Sequence, residues 1–247
     1  MEGRIDSGHL EEESILVLPS LVSIGNVGQL AMDLLLSGMK PKKIGSLRHD
    51  ALLPIVGADE AENSLFTAAE VFLKGKFVLL QLRSAILKGH RKEWVRDLLA
   101  WVKSMGKFKG IVCLSSIDAH ERTDGQIREG NFRYLSSTTE NEDLVALNWQ
   151  SLELKDNFPS LPVSKALTDE DRLYIPGGGF SKELYKQCKE EGISLHVLFT
   201  FSSEGDNVQD AIRLFEKFNA WKKQVDRMVI PSSWSHLYGN QVTAGVF

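Results

Sequence analysis

The stretch from Ile15 to Leu36, ILVLPSLVSIGNVGQLAMDLLL, constrains this chain most, because an apolar run ends at a glycine-containing turn and continues as an amphipathic helix. That order is the βα unit of α/β proteins, in which a buried strand feeds a helix that returns over the sheet. Gly25 and Gly28 supply the backbone freedom that such a turn needs, and amides opening the following helix are able to face an anion. G-N-V-G is neither the G-x-G-x-x-G of dinucleotide sites nor a loop ending in G-K-[ST]. No lysine or hydroxyl is therefore set for a phosphate or its magnesium, and the two glycines read as structural.

The alternation continues along the chain. Ser14 to Leu18, Lys43 to Leu47, Ala69 to Leu73, Phe77 to Leu82, Gly110 to Ser115, Phe132 to Leu135 and Ile193 to Phe201 read as strands, with Lys74-Gly75-Lys76 as a hairpin turn. Gly28 to Ser37, Arg91 to Met105, Glu142 to Trp149, Ser181 to Glu191 and Asn207 to Val225 read as helices. In the second of these, Trp94, Val95, Leu98, Leu99, Trp101, Val102 and Met105 recur at helical spacing and leave the charged residues for water. Asp206 with Gln209 fits a capping box at the start of the last helix. Strands alternating with helices predict one α/β domain over 14–235, a mostly parallel sheet covered by helices on both faces. Residues 1–13, polar and acidic, predict a disordered tail, 236–247 a flexible one, and Gln150 to Asp171 an irregular excursion.

Charge and cysteine content narrow the functional classes. Twenty-nine Lys and Arg against 33 Asp and Glu give a net charge of −4, with no basic cluster interleaved with aromatics, so no nucleic-acid partner is expected. Pro19, Asn26, Gln29 and Asp33 interrupt the longest apolar stretch, so no membrane span is expected either. Cys113 and Cys188 read as reduced structural thiols of an intracellular protein. Six scattered histidines, with no H-x-E, H-E-x-x-H or Cys-x-x-Cys pattern, predict no metal centre.

Two segments are able to carry enzymatic chemistry. Asp118, His120, Glu121, Arg122 and Asp124 follow a strand end, where open α/β sheets bind ligands, and His120 is a possible base oriented by Asp118 or Asp124. Gly177-Gly178-Gly179 is able to cradle an anion, with Lys182 as the nearest cation. Against both, there is no nucleophile elbow at Ser115-Ser116, and polar clusters commonly mark wet loops. Glu204 and Asp206 read as turn and cap. An enzyme requires the two segments to converge on one pocket.

A resemblance runs through the chain in order: PSLVSIGNVGQLAMDLLL at 19–36, ALLPIVG at 51–57, LLQLRS at 79–84, WVKSMG at 101–106, FRYL at 132–135, IPGGG at 175–179, SEGDNVQDAI at 203–212 and IPSSW at 230–234. Each motif is weak alone, but the eight in sequence resemble the PAC2 family of proteasome assembly chaperones. The resemblance implies a nucleoside phosphorylase-like α/β fold and a cytoplasmic and nuclear chaperone that has no catalytic role and needs no cofactor. It further implies a heterodimer with proteasome assembly chaperone 1 that binds α subunits of the core particle, promotes α-ring formation and prevents off-pathway ring association. The alternative is a phosphorylase-like or hydrolase-like enzyme using the 118–124 loop and the triple-glycine turn. The last residues, HLYGNQVTAGVF, end in an apolar tip suited to capture in a pocket. In proteasome assembly chaperones and activators such tails insert between neighbouring α subunits, which makes Gly245, Val246 and Phe247 the candidate partner-binding residues. Val246 stands where the family's tail motif has tyrosine.

Overall fold

The computed structural model describes residues 2–6, 8, 10–59, 64–139, 142–154 and 172–236. In chain order its elements are β1 (Glu2–Ile5), β2 (Ser14–Pro19), α1 (Val27–Met39), β3 (Lys42–Arg48), β4 (Val56–Asp59), β5 (Ser64–Thr67), β6 (Ala69–Lys74), β7 (Phe77–Leu82), α2 (Arg91–Met105), β8 (Phe108–Asp118), α3 (Asp124–Arg128), β9 (Phe132–Ser136), α4 (Glu142–Ala146), α5 (Ser181–Glu190), β10 (Leu195–Ser202) and α6 (Val208–Lys222). An eight-stranded sheet has the order β1-β3-β6-β7-β2-β8-β10-β9, and β4 and β5 form a separate two-stranded ribbon. The centre is parallel, β7, β2, β8 and β10 lying side by side. Antiparallel strands extend it on both flanks, β6, β3 and β1 on one side and β9 on the other.

Side-chain alternation along the central strands splits the core into two layers. Leu16, Leu18, Ile111, Cys113, Val197 and Phe199 point to the face covered by α2 and α5, where they meet Trp94, Leu98, Leu184 and Cys188. Val17, Val112, Leu114 and Leu198 point to the other face, under Met32 and Leu35 of α1 and Leu214, Phe215 and Phe218 of α6. Strands buried on both faces read as continuous apolar runs, which is why these four were recognisable in the sequence. The single α/β domain with helices on both faces is therefore the observed architecture. The thiols of Cys113 and Cys188 are unpaired, and burial pushes the Cys188 pKa up to about 12.

Two expectations change. The tail predicted for residues 1–13 contains an edge strand over Glu2–Ile5, paired antiparallel with β3. Backbone groups on the open edge of β3 make that pairing whatever the polarity of the added residues. The capping box at Asp206 is absent: Asn207 is the N-cap without a side-chain cap bond, and the Asp206 carboxylate instead accepts from the Val208 amide at 3.0 Å. A capping box does form at Thr123 and Gln126, opening α3. Much of the expected 150–171 excursion lies outside the described residues.

Candidate functional site

The C-terminal ends of β2 and β8 are where a ligand would sit in a sheet of this kind. Three segments converge there: the turn from β2 into α1, the end of β8, and the glycine turn that precedes α5. The Gly178 carbonyl accepts hydroxyl hydrogen bonds from Ser20 at 2.9 Å, Ser115 at 3.2 Å and Ser181 at 2.6 Å. Ser20 Oγ in turn accepts from the Phe180 amide at 3.0 Å. The Ile24 amide donates to the Gly177 carbonyl at 2.7 Å, and the Asp118 amide to that of Pro176 at 3.0 Å. The Ser116 hydroxyl reaches the Ile24 carbonyl at 2.7 Å.

Glycine is needed here because the backbones touch. Gly179 has φ +61°, and a Cβ on it would lie 2.1 Å from the Leu21 carbonyl oxygen. The triple glycine thus plugs the strand ends, with the amides of Gly178, Phe180 and Ser181 already bonded within the protein. Lys182, the proposed cation, points its ammonium to the Leu173 carbonyl. The two candidate segments do meet, but on packed backbone.

The 118–124 loop is similarly occupied with its own structure. Asp118 Oδ1 accepts from the backbone amide of His120 at 3.0 Å, which caps a 3-10 turn over Ala119–Glu121. His120 is exposed. Arg122 donates to the Ala119 carbonyl at 3.2 Å and to Asn131 Oδ1 at 2.6 Å, with its guanidinium 5.6 Å from the Phe201 ring centre. Among the described residues no group of three or more His, Cys, Asp or Glu is placed to hold a metal ion, and no helix is long and apolar enough to cross a membrane.

Two polar clusters lie elsewhere. At the N-terminal ends of β8 and β10, a cavity of about 740 Å³ is lined by His196, Trp221, Lys222 and Asp143 among others. Burial there holds the His196 pKa down to about 4 and that of Lys222 to about 8. On the α1 side, Asp33 accepts from the Gln81 amide and from Trp234 Nε1 at 3.3 Å. Burial raises the Asp33 pKa, although Arg83, Trp234 and Gln81 oppose the shift. This network fixes the 3-10 turn Ser232–His236, from which the C-terminal segment departs. Gly245, Val246 and Phe247 lie outside the described residues.

A family model described as the PAC2 family matches residues 17–226. The chain belongs to the PAC2 family. Proteins named proteasome assembly chaperone 2 are among its relatives: one from Nematostella vectensis is 39% identical over 219 residues, covering 83% of this chain and 88% of that one. The human protein is 38% identical over 255 residues, covering 94% of each. Among solved structures, PbaA of Pyrococcus furiosus, an archaeal homolog of proteasome-assembly chaperone, superposes with a TM-score of 0.68 at 15% identity over 95% of this chain and 90% of its own. PbaB of the same organism, an archaeal proteasome activator, gives a TM-score of 0.54 at 12% identity over 88% and 95%. At such identities the two archaeal structures speak for the PAC2 fold alone, and the relatives' names support a role in proteasome assembly.

Proposed function

We propose that the chain is a non-catalytic proteasome assembly chaperone that pairs with proteasome assembly chaperone 1 and, as that heterodimer, binds α subunits of the core particle. The pair promotes α-ring formation and prevents off-pathway association of rings, in the cytoplasm and nucleus. One observation carries the reading: the strand ends where this kind of sheet would take a ligand are filled by the chain's own glycine turn, in a protein whose relatives are named as assembly chaperones. The mechanism is preferential binding. A pair that grips the immature ring more tightly than the mature particle shifts the population toward correct intermediates and leaves when that difference vanishes. Co-expression with chaperone 1 and α subunits, followed by mass measurement, tests it. A complex containing all three types of subunit is the expected result, and a free monomer in their presence refutes the pairing.

In this reading the 118–124 loop has no chemical task. His120→Ala, at an exposed residue, is expected to leave α-ring assembly within experimental error of wild type, since such substitutions usually change free energy by about 0.5 kcal/mol or less. Asp118→Ala removes the cap of the 3-10 turn, at about 0.5 to 2 kcal/mol of stability, and is expected to leave assembly unchanged as well. Turnover of a nucleoside or ester substrate that disappears in both variants would bring back the enzyme.

The C-terminal tip is expected to dock between α subunits through Val246 and Phe247. Deleting Gly245 to Phe247 then weakens binding to ring intermediates and leaves the heterodimer intact. The loss is partial, because one buried aromatic contributes roughly 1.5 to 3 kcal/mol and ordering the segment offsets some of it. Val246→Tyr is expected to bind more tightly. Equal retention of all three proteins on isolated α-ring intermediates removes the tip from the mechanism.

A further inference from the structure

On the α1 side of the sheet one cation is left short of hydrogen bonds. Arg83 follows β7, and its guanidinium stands between two carboxylates, Nη1 3.8 Å from Asp33 and Nε 3.5 Å from Glu70. These are ion pairs without hydrogen bonds, since a bonded guanidinium and carboxylate lie about 2.7 to 2.9 Å apart. Both carboxylates are already engaged. Asp33 accepts from Gln81 and from Trp234, and Glu70, 2% exposed, accepts from Lys43. Arg83 Nε is buried with no hydrogen-bond partner, and the rest of the guanidinium makes no hydrogen bond among the described residues. Buried donors in folded proteins nearly always meet an acceptor, so this open fork calls for one.

Arg83 lines a cavity of about 890 Å³ walled by α1, the β4–β5 ribbon and the segment 229–233. Cavities of that size take small-molecule ligands. Its guanidinium carbon lies 5.0 Å from the Phe66 ring centre, a contact that steadies the cation without using a donor. Lys40 brings a second cation to the wall and Ser37, Ser232 and Ser233 bring hydroxyls, while Leu36 and Phe72 leave part of it apolar. Charge selects the head group. Arg83, Lys40 and Lys43 stand against Asp33 and Glu70, three cations to two carboxylates, which suits a monoanion. A phosphate monoester, at about −1.5 to −2 near pH 7, would overfill that balance beside two carboxylates. Three of the eight segments that carry the family resemblance meet here: Asp33 from 19–36, Gln81 and Arg83 from 79–84, and Ser232, Ser233 and Trp234 from 230–234.

We propose that this cavity binds a monocarboxylate carried on an apolar body, its two oxygens received by the Arg83 fork and its body set against Leu36 and Phe72. A planar carboxylate matches the guanidinium in a way that a lysine ammonium cannot reproduce. Two sources share this chemistry, a free small acid and the terminal carboxylate of a peptide. The site lies apart from the closed strand ends, so its failure leaves the chaperone reading untouched.

The test is titration of phenylacetate into the full chain while the Trp234 indole N–H resonance is followed, because Trp234 bonds Asp33 and Asp33 pairs with Arg83. A saturable shift is expected with phenylacetate and none with the uncharged phenylacetamide. That comparison uses the unaltered protein, so no folding defect enters it. Arg83→Lys keeps the charge and loses the fork, and is expected to weaken phenylacetate binding about ten- to hundredfold, the range for a hydrogen bond to a charged group. An N-acetyl dipeptide ending in phenylalanine, with a free or an amidated terminus, separates the two sources. If its free acid binds at least tenfold more tightly than phenylacetate, and its amide does not bind, the site takes a chain end; if it binds no better, the site takes a free acid. Equal binding of phenylacetate and phenylacetamide overturns the proposal. So does failure of every carboxylate probe, tighter binding of inorganic phosphate, or an affinity that Arg83→Lys leaves unchanged.

Discussion

Lowering the pH from 7 to below 4 is expected to cost the folded protein about 3 kcal/mol through His196 alone. The imidazole is held down from 6.5 to about 4, chiefly by burial and then by Lys222, with Asp143 pulling the other way. Because the folded-state pKa lies below the unfolded one, the native protein binds fewer protons across that interval. The contribution is therefore fully present above about pH 6.5 and is lost as pH falls toward 4, at about 1.4 kcal/mol per unit of difference. Acidic groups titrate nearby as well. Asp97, held low chiefly by its bond from Arg96, loses stability as the carboxylates protonate, whereas Asp33, raised by burial, gains. A comparison of wild type with His196→Phe, by denaturant unfolding at stepped pH, cancels both. Phenylalanine keeps a ring against Trp221, whose centre lies 5.2 Å from that of His196. The two stabilities should diverge by about 3 kcal/mol between pH 7 and 4, and parallel curves would show that His196 takes up its proton without unfolding cost.

What the sequence made legible follows from how each element is held. Helix α2 begins and ends where its apolar spacing predicts, because one face packs on the sheet from Trp94 to Val102 and Gly106 stops it in a left-handed conformation. The β6–β7 hairpin turns at Gly75 for the same local reason. Elements held by distant backbone carry no such mark. β1 is written in polar residues and exists because β3 offers an edge. The β4–β5 ribbon pairs locally, from Val56 with Thr67 to Asp59 with Ser64, but at four residues a strand its alternation is too short to read. α3 is five residues long, too short to show a period, although its Thr123 and Gln126 capping signal was there to be read.

The candidate site divides in the same way. Residue types alone drew attention to the 118–124 loop and the triple glycine, and the fold does bring them together. Their purpose is set by partners far along the chain: Ser20 and Gly178 are 158 residues apart, and Trp234 and Asp33 are 201. No spacing rule reaches that far. The IPSSW motif was visible as a pattern, and only the fold shows its tryptophan fastened to a half-buried carboxylate on α1.

Gly28→Ala tests the closed seam most directly, because local and tertiary effects predict opposite signs. Gly28 is the second residue of α1, where alanine is favoured over glycine by about 1 kcal/mol and also restricts the unfolded chain. Packing opposes both. A Cβ at this position would lie 2.2 Å from the Leu114 carbonyl oxygen and 2.9 Å from its carbon, which are backbone atoms of a central strand. That same oxygen accepts the Ser20 amide at 2.7 Å, so it is not free to retreat. The helix must move instead, and forcing extra volume into a packed interior typically costs about 1 to 3 kcal/mol, occasionally more. A net loss of up to about 2 kcal/mol is expected on these magnitudes, with faster exchange of the Ser20 and Ile24 amides as the plugged end loosens. Gly106→Ala is the control. It has φ +65° with nothing within 4 Å, so it bears only the left-handed backbone penalty of about 1 to 2 kcal/mol, and the Ser20 and Ile24 amides should exchange as in wild type. A Gly28→Ala protein more stable than wild type, with Ser20 and Ile24 exchanging unchanged, would show that α1 moves off the Leu114 carbonyl without cost.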